Sequence, residues 1–321
     1  MNTQRYVKPM QKQFTIIYNL ILTKKNNLRG VFMSKHSDNI FCEYTINSWE
    51  DCRKLFRSIE KWVFRGQSNS QWSLQTTLER GAKINNSNIR DIPMIERKII
   101  EKFQRRAFHY LEKPPEVENV LEWLSLIQHH GGPTRLLDFS YSYFVALFFS
   151  IDQALQESTV FCLNKKLINA KGLETEKWRG LEDEKYFGTR KYCNEKLIEQ
   201  TSSPLVMLIE PFNIHERLSS QQGLFAIPFE GHQAFEYNLS LTVNRFRKEL
   251  PISKIIDNHD EDLIELLNQE CALLKVNIPK DFHNEIRREL KLMNISSETI
   301  YPGIDGFTKS LYGEFDINYR S

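Results

Sequence analysis

Gln128-His129-His130-Gly131-Gly132-Pro133-Thr134-Arg135-Leu136-Leu137-Asp138-Phe139-Ser140 is the stretch on which the fold turns. It joins a helix stop, a strand and a helix start. The run from Val120 to Gln128 reads as a helix, which Gly131-Gly132-Pro133 ends. Thr134 to Phe139 then reads as a strand, and Ser140 or Ser142 caps a helix from Tyr143 to Leu155. Polar groups between a strand's carboxyl end and a helix's amino terminus form a natural anion site. His129 can act there as acid, base or donor near neutral pH, and Asp138 can orient an imidazole or a guanidinium. The same residues have a plainer reading. In it Arg135 and Asp138 are an internal ion pair, and His129 is a core histidine bonded to backbone.

Upstream, Ile46 to Ile59 reads as a helix capped by Asn47 or Ser48. Lys61-Trp62-Val63-Phe64 is a short strand that ends in Arg65-Gly66-Gln67. The planar fork of Arg65 suits phosphate or carboxylate, and Gly66 lets backbone come close. Alone, this is also what a surface turn offers. Trp72-Ser73-Leu74 reads as a second extended segment, and Ile92 to Leu111 as a long helix with Ile95, Ile99, Phe103 and Ala107 at fours. Downstream, Thr159 to Leu163 is a buried strand. Residues 164–200 are polar and charged and read as an insertion or surface excursion. Leu205 to Glu210 and Ala226 to Phe229 are strands, and the end of the chain is helical, over Ile264 to Leu274 and Pro279 to Met293. Between them Arg217-Leu-Ser-Ser-Gln221-Gln222-Gly223-Leu224-Phe225 reads as a loop entering a strand. Gln221 donates and accepts, which suits a ribose or an amide, although a plain turn has the same composition. Strands and helices mix without a βαβ rhythm, so the expected class is α+β, a single mixed domain of short strands and several helices.

Composition narrows the function classes. The chain has 321 residues, 40% hydrophobic and 26% charged, which are globular values. Lys plus Arg is 43 against 41 for Asp plus Glu, so charge alone does not coat nucleic acid, although a local basic cleft remains open. Five scattered cysteines without a C-x-x-C argue against a disulfide framework or a zinc site and for a reducing, cytoplasmic setting. The longest apolar run, Phe144 to Ile151, is too short to span a bilayer, so no membrane partner is expected. P-loop, G-x-S-x-G, H-E-x-x-H and G-x-G-x-x-G patterns are all missing, and His129-His130 lacks metal-ligand spacing on a helix, so no metal is expected.

Residues 1–32 carry six basic side chains and no acid. Leu28 to Met33 can be back-translated into a purine-rich string before an ATG, as in a bacterial ribosome-binding site. The physiological chain is therefore expected to begin at Met33, with 1–32 a non-native leader or extension. A CGN codon at Arg29 would contradict this.

Several of these motifs together resemble the FRG domain family. Phe64-Arg65-Gly66 resembles the motif that names it. Gln128 to Ser140 followed by Ala146-Leu147-Phe148-Phe149 is similar to its longest motif, and Arg217 with Gln221-x-Gly223-x-Phe225 to its third. Ile278-Pro279 and Tyr301-Pro302-Gly303-Ile304-Asp305-Gly306 fit its closing pattern. His130 and Phe139 depart from it, standing where Tyr and Trp are common. The resemblance implies an FRG-like domain over 62–312, and the residues on either side read as an N-terminal helical segment over 33–61 and a tail over 313–321.

Three activities are compatible with these residues. The first is an ADP-ribosyltransferase-like fold and enzyme acting on NAD, as in a bacterial toxin or defence effector, with a protein or nucleic-acid acceptor. Arg65 would bind the pyrophosphate, with Gly66, Gln67, Thr134, Arg135, Asp138 and Arg217 as further ligand-binding residues. Ser140 or Thr134 would face the nicotinamide, Gln221 or Glu216 the ribose or acceptor, and His129 would orient the ribose or take the acceptor's proton. No unambiguous catalytic glutamate stands in the motifs. The second is a non-catalytic module for a small-molecule nucleotide or other anion, held by Arg65, His129 and Arg135. The third is a nucleic-acid-acting effector, with Trp62, Trp72 and Trp123 stacking on bases.

Overall fold

A computed structural model describes residues 40–199, 204–213, 215–243, 250–258 and 260–312. The expectations for the 1–32 leader, the Met33 start and the 313–321 tail lie outside the described residues. Seven strands form one mixed sheet: β1 (Cys42–Thr45), β2 (Val63–Gln67), β3 (Leu137–Ser140), β4 (Ser158–Leu163), β5 (Val206–Ile209), β6 (Gly223–Pro228) and β7 (Leu273–Ile278). Their order is β1-β7-β4-β2-β3-β6-β5. β1 and β7 run parallel and the other neighbours antiparallel. The fold is α+β.

The side chains alternate between the two faces, as the period of two requires. Val63, Phe161, Leu208 and Leu224 pack on one face with Phe235 and Leu239 of the Phe235–Thr242 helix. Phe64, Val160, Cys162 and Leu274 pack on the other, beneath the Trp49–Ser58 and Tyr143–Ile151 helices. All five cysteines are buried and none is in a disulfide among the described residues. No helix among the described residues is long and apolar enough to cross a membrane.

One feature of the sheet positions the site. β2 pairs with β4 along its whole length, from Val63↔Leu163 to Gln67↔Thr159. With β3 it shares a single residue pair, Phe64↔Ser140. Beyond that pair the two central strands diverge, and Arg65 Nη1 donates across the gap to the Asp138 carbonyl at 2.7 Å.

Several elements differ from the sequence reading. The helix expected through Leu274 stops at Glu270, and Leu273–Ile278 is an inner strand between β1 and β4. An apolar run without a Gly or Pro before it carries no period that separates helix end from buried strand. Residues 164–200 are more than a surface excursion. Helices Lys165–Trp178 and Arg190–Glu199 bury Ile168, Tyr192, Cys193 and Leu197 against the sheet's β5–β6 end. Trp72 to Leu74 is irregular, held by Glu236 Oε1, which accepts from the Leu74 N–H at 2.8 Å. Of the two serines offered as a cap, Ser142 caps the Tyr143–Ile151 helix.

Candidate functional site

The gap between β2 and β3 opens into a cleft of about 760 Å³, within the range of small-molecule sites. Arg65, Gly66 and Gln67 form one wall, and Asp138 and Ser140 the other. Arg217 and Gln221 come from the Glu216–Ser220 helix and the turn after it. Arg80 and Lys83, from the Thr77–Ile84 helix, and the exposed Trp72 complete the lining. Segments scores of residues apart therefore surround one cavity, which carries four cationic side chains and one carboxylate.

Each residue of the Phe64-Arg65-Gly66 motif does something different. Phe64 is fully buried and meets Phe56 edge-on at 5.7 Å. The Arg65 guanidinium is tucked against the cleft wall. Burial pulls its pKa down from the usual arginine value, Arg80 pulls the same way, and Asp138 opposes them. Its Nε is a buried donor with no partner among the described residues, and Gln67 Oε1 is a buried acceptor in the same condition. Unsatisfied groups of this kind are costly, and a ligand that satisfies both is favoured. Gly66 faces a helix. A Cβ there would lie 1.9 Å from the Ala146 carbonyl oxygen, so its smallness admits the Tyr143–Ile151 helix against β2.

In the long motif, Gly131 and Gly132 close the Val120–His129 helix. The Gly131 N–H donates to the Gln128 carbonyl and the Gly132 N–H to the Ile127 carbonyl, with Gly131 at φ +78°, the Schellman pattern. Gln128 Nε2 then donates to Asp138 Oδ1 at 2.8 Å, and the Thr134 hydroxyl donates to Gln128 Oε1. Ser140 Oγ donates to the Gln221 carbonyl at 2.7 Å and accepts from the Ser142 N–H at 2.9 Å. Gln221 Nε2 donates to the Ile300 carbonyl at 3.3 Å. Arg217 lies over the Tyr301 ring at 5.2 Å.

Arg65, Gly66, Gln67, Asp138, Ser140, Arg217 and Gln221 thus meet at one cleft, and Thr134, Arg135 and His129 do not line it. Thr134 is fully buried and its N–H donates to Thr77 Oγ1. Arg135 pairs with Glu96, not with Asp138, and both are buried. Glu216 is exposed away from the lining. Trp62 and Trp123 are core residues whose indoles donate to Asn268 Oδ1 and the Glu116 carbonyl. Of the three tryptophans read as base platforms, only Trp72 is available. Among the described residues no group of three or more His, Cys, Asp or Glu side chains is placed to hold a metal ion.

His129 has a neighbour that sequence reading missed. Its ring lies against His215, tilted by 39° with centroids 3.9 Å apart, and meets His130 edge-on at 4.9 Å. Burial, with His130 and Arg217 nearby, lowers the His129 pKa, and its Nδ1 is a buried atom without a partner among the described residues. His215 Nδ1 accepts from the Leu218 N–H at 3.1 Å, which caps the short helix and leaves the ring proton on Nε2. Burial, then His129 and Arg217, push His215 down to about 4. Because the folded state resists protonation relative to the unfolded chain, this site leaves stability intact above about pH 6.5 and lowers it as pH falls towards 4. Substituting His215→Asn keeps a capping oxygen and removes the titration. Melting curves between pH 7 and 4.5 should therefore fall less steeply for that variant than for the native chain, and equal slopes would show that His215 is not the sensor.

Residues 60–159 match the FRG domain model, so the chain carries that domain. The match takes in both central strands of the cleft, and Arg217 and Gln221 lie beyond it. No curated protein and no solved structure matches the chain.

Proposed function

We propose that this FRG-domain chain binds NAD in the split between β2 and β3 and transfers its ADP-ribosyl group. The observation that carries the reading is the charge of the cleft: Arg65, Arg80, Lys83 and Arg217 against Asp138 alone. A pyrophosphate is the ligand group such a lining fits. The free Nε of Arg65 and free Oε1 of Gln67 supply a donor for phosphate and an acceptor for a ribose hydroxyl. Trp72 offers an exposed aromatic face for a base. Breaking the glycosidic bond builds positive charge on the ribose, and Asp138 is the carboxylate in the lining able to face it. Gln128 holds one oxygen of that carboxylate. His129 stands outside the lining, so this reading gives the charge-facing role to Asp138.

A second reading, binding without turnover, is favoured by the chemistry of the lining: among the described residues no glutamate lines the cleft, and its one carboxylate already accepts a hydrogen bond. Calorimetry with NAD, ADP-ribose and AMP, with nicotinamide release followed chromatographically, separates the two. Arg65→Ala should weaken nucleotide binding roughly 10- to 100-fold, the equivalent of about 1.5–3 kcal/mol for a charged hydrogen bond. The melting temperature should move by only a few degrees, since one neutral carbonyl contact is lost. Arg65→Lys should not restore affinity, because an ammonium lacks the planar fork. Binding without nicotinamide release leaves the module. Absence of NAD binding ends both the enzyme and the NAD assignment.

A further inference from the structure

We propose that the exposed face of the Ile92–Ala107 helix is a docking strip for single-stranded nucleic acid; this stands independently of what the cleft binds. Arg97, Lys98, Lys102, Arg105 and Arg106 are all exposed. At about 100° per residue they occupy one half of the helix, opposite the buried Ile92, Glu96 and Ala107. Among the described residues no carboxylate pairs with any of them. Glu101 is the one acid on that arc. The whole chain carries a net charge of only +2, so five cations on one helix face are a local concentration, not the average of the surface.

Three further observations select the partner. Phe108 and Tyr110, 61% and 85% exposed, follow directly at the helix's carboxyl end, with the His109 ring tilted against Phe108 at 4.1 Å. Flat rings beside a line of cations are the elements that hold unpaired bases and their backbone. The helix spans roughly 14 Å from Arg97 to Arg106, long enough to meet successive phosphates. Its apolar side is turned inward, with Ile95 and Ile99 against Leu78 and Ala82 and Phe103 against Trp123 at 6.2 Å. No apolar stripe is left for a lipid surface. That inward packing also joins this helix to the Thr77–Ile84 helix, which carries the cleft's Arg80 and Lys83. A strand on the strip would lie beside the element that forms one wall of the cleft.

The test is fluorescence anisotropy of labelled oligothymidylate and oligouridylate, titrated with the full chain at several salt concentrations. Binding should weaken with salt, with a slope in log–log form of about −3.5 if five phosphates are neutralised on a single strand. Arg97→Gln, Lys98→Gln, Lys102→Gln, Arg105→Gln and Arg106→Gln combined should lower low-salt affinity at least about 100-fold and flatten the slope, with an unchanged melting temperature because all five side chains face solvent. Phe108→Ala with Tyr110→Ala should weaken binding several-fold and leave the slope alone, since stacking releases no counterions. Oligonucleotide affinity equal in the native chain and the five-fold variant overturns the proposal, as does no binding by the native chain. Equal or tighter binding of polyglutamate or of phosphatidylserine vesicles overturns it too, in favour of an acidic protein or a membrane.

Discussion

Gly66→Ala should cost more than about 4 kcal/mol, a size reserved for a few mechanisms, core overpacking among them. The added methyl would meet the Ala146 carbonyl oxygen at 1.9 Å and the Ser150 nitrogen at 2.5 Å. Both are backbone atoms of the Tyr143–Ile151 helix, so no rotamer change relieves the clash. The helix would have to lift from β2, which is held by its full ladder to β4 and cannot retreat. Lifting it would also expose the seam of Phe64, Val145, Leu147 and Phe148 in the larger core. For a domain whose total stability is of order 5–15 kcal/mol, the expected result is little soluble folded protein. Denaturant unfolding of any soluble fraction should show a midpoint far below that of the native chain. Arg65→Ala, one residue earlier, should fold and lose ligand. The pair separates the two meanings of the motif: a Gly66→Ala variant with native stability would show that the helix does not pack where the structure has it.

The residues around the cleft were legible where chemistry and local geometry coincide. Arg65 leaves a strand beside a glycine, and Asp138 and Ser140 sit between a strand and a helix cap. Both patterns are local, and both end at the cleft. Arg135 misled because its partner, Glu96, is 39 residues away on another helix. The nearest acid in sequence, Asp138, instead accepts from Gln128. Arg80 and Lys83 went unread because the Thr77–Ile84 helix was not recognised, although Thr76-x-x-Glu79 is a capping box at its start. His215 gives no such signal. A histidine as helix cap is not a sequence pattern, and its meeting with His129 exists only once the chain has folded. The strand Leu273–Ile278 was lost for another reason. Leu274, Val276 and Ile278 do alternate with the partly exposed Lys275 and Asn277, but Cys271 to Leu274 continues the apolar pattern of the preceding helix without a breaker, so helix and strand merge in the sequence.

The ion pair of Arg135 and Glu96 should be the second most sensitive point of the molecule. The two side chains are 3% and 2% exposed. Arg135 Nε donates to Glu96 Oε2 at 2.6 Å and Nη2 donates to the same oxygen, while Nη1 faces the Pro228 and Phe229 carbonyls at 3.4 Å each. One guanidinium thus ties the Ile92–Ala107 helix, the segment leading into β3 and the end of β6. Replacing Glu96 by Ala leaves a buried cation without its anion, and the expected loss is about 3–5 kcal/mol. The reason is desolvation more than lost attraction, which gives the prediction a second arm. Glu96→Leu combined with Arg135→Met removes both charges and fills similar volume, so it should recover much of the loss. Chemical denaturation of the native chain, Glu96→Ala and the double variant measures both. A single variant within about 1 kcal/mol of native would mean that water reaches the pair. A double variant as poor as the single would mean that the contacts to Pro228 and Phe229 matter more than the buried charge. In every case the cleft side chains are left in place, so nucleotide binding should follow the folded fraction and not the substitution itself.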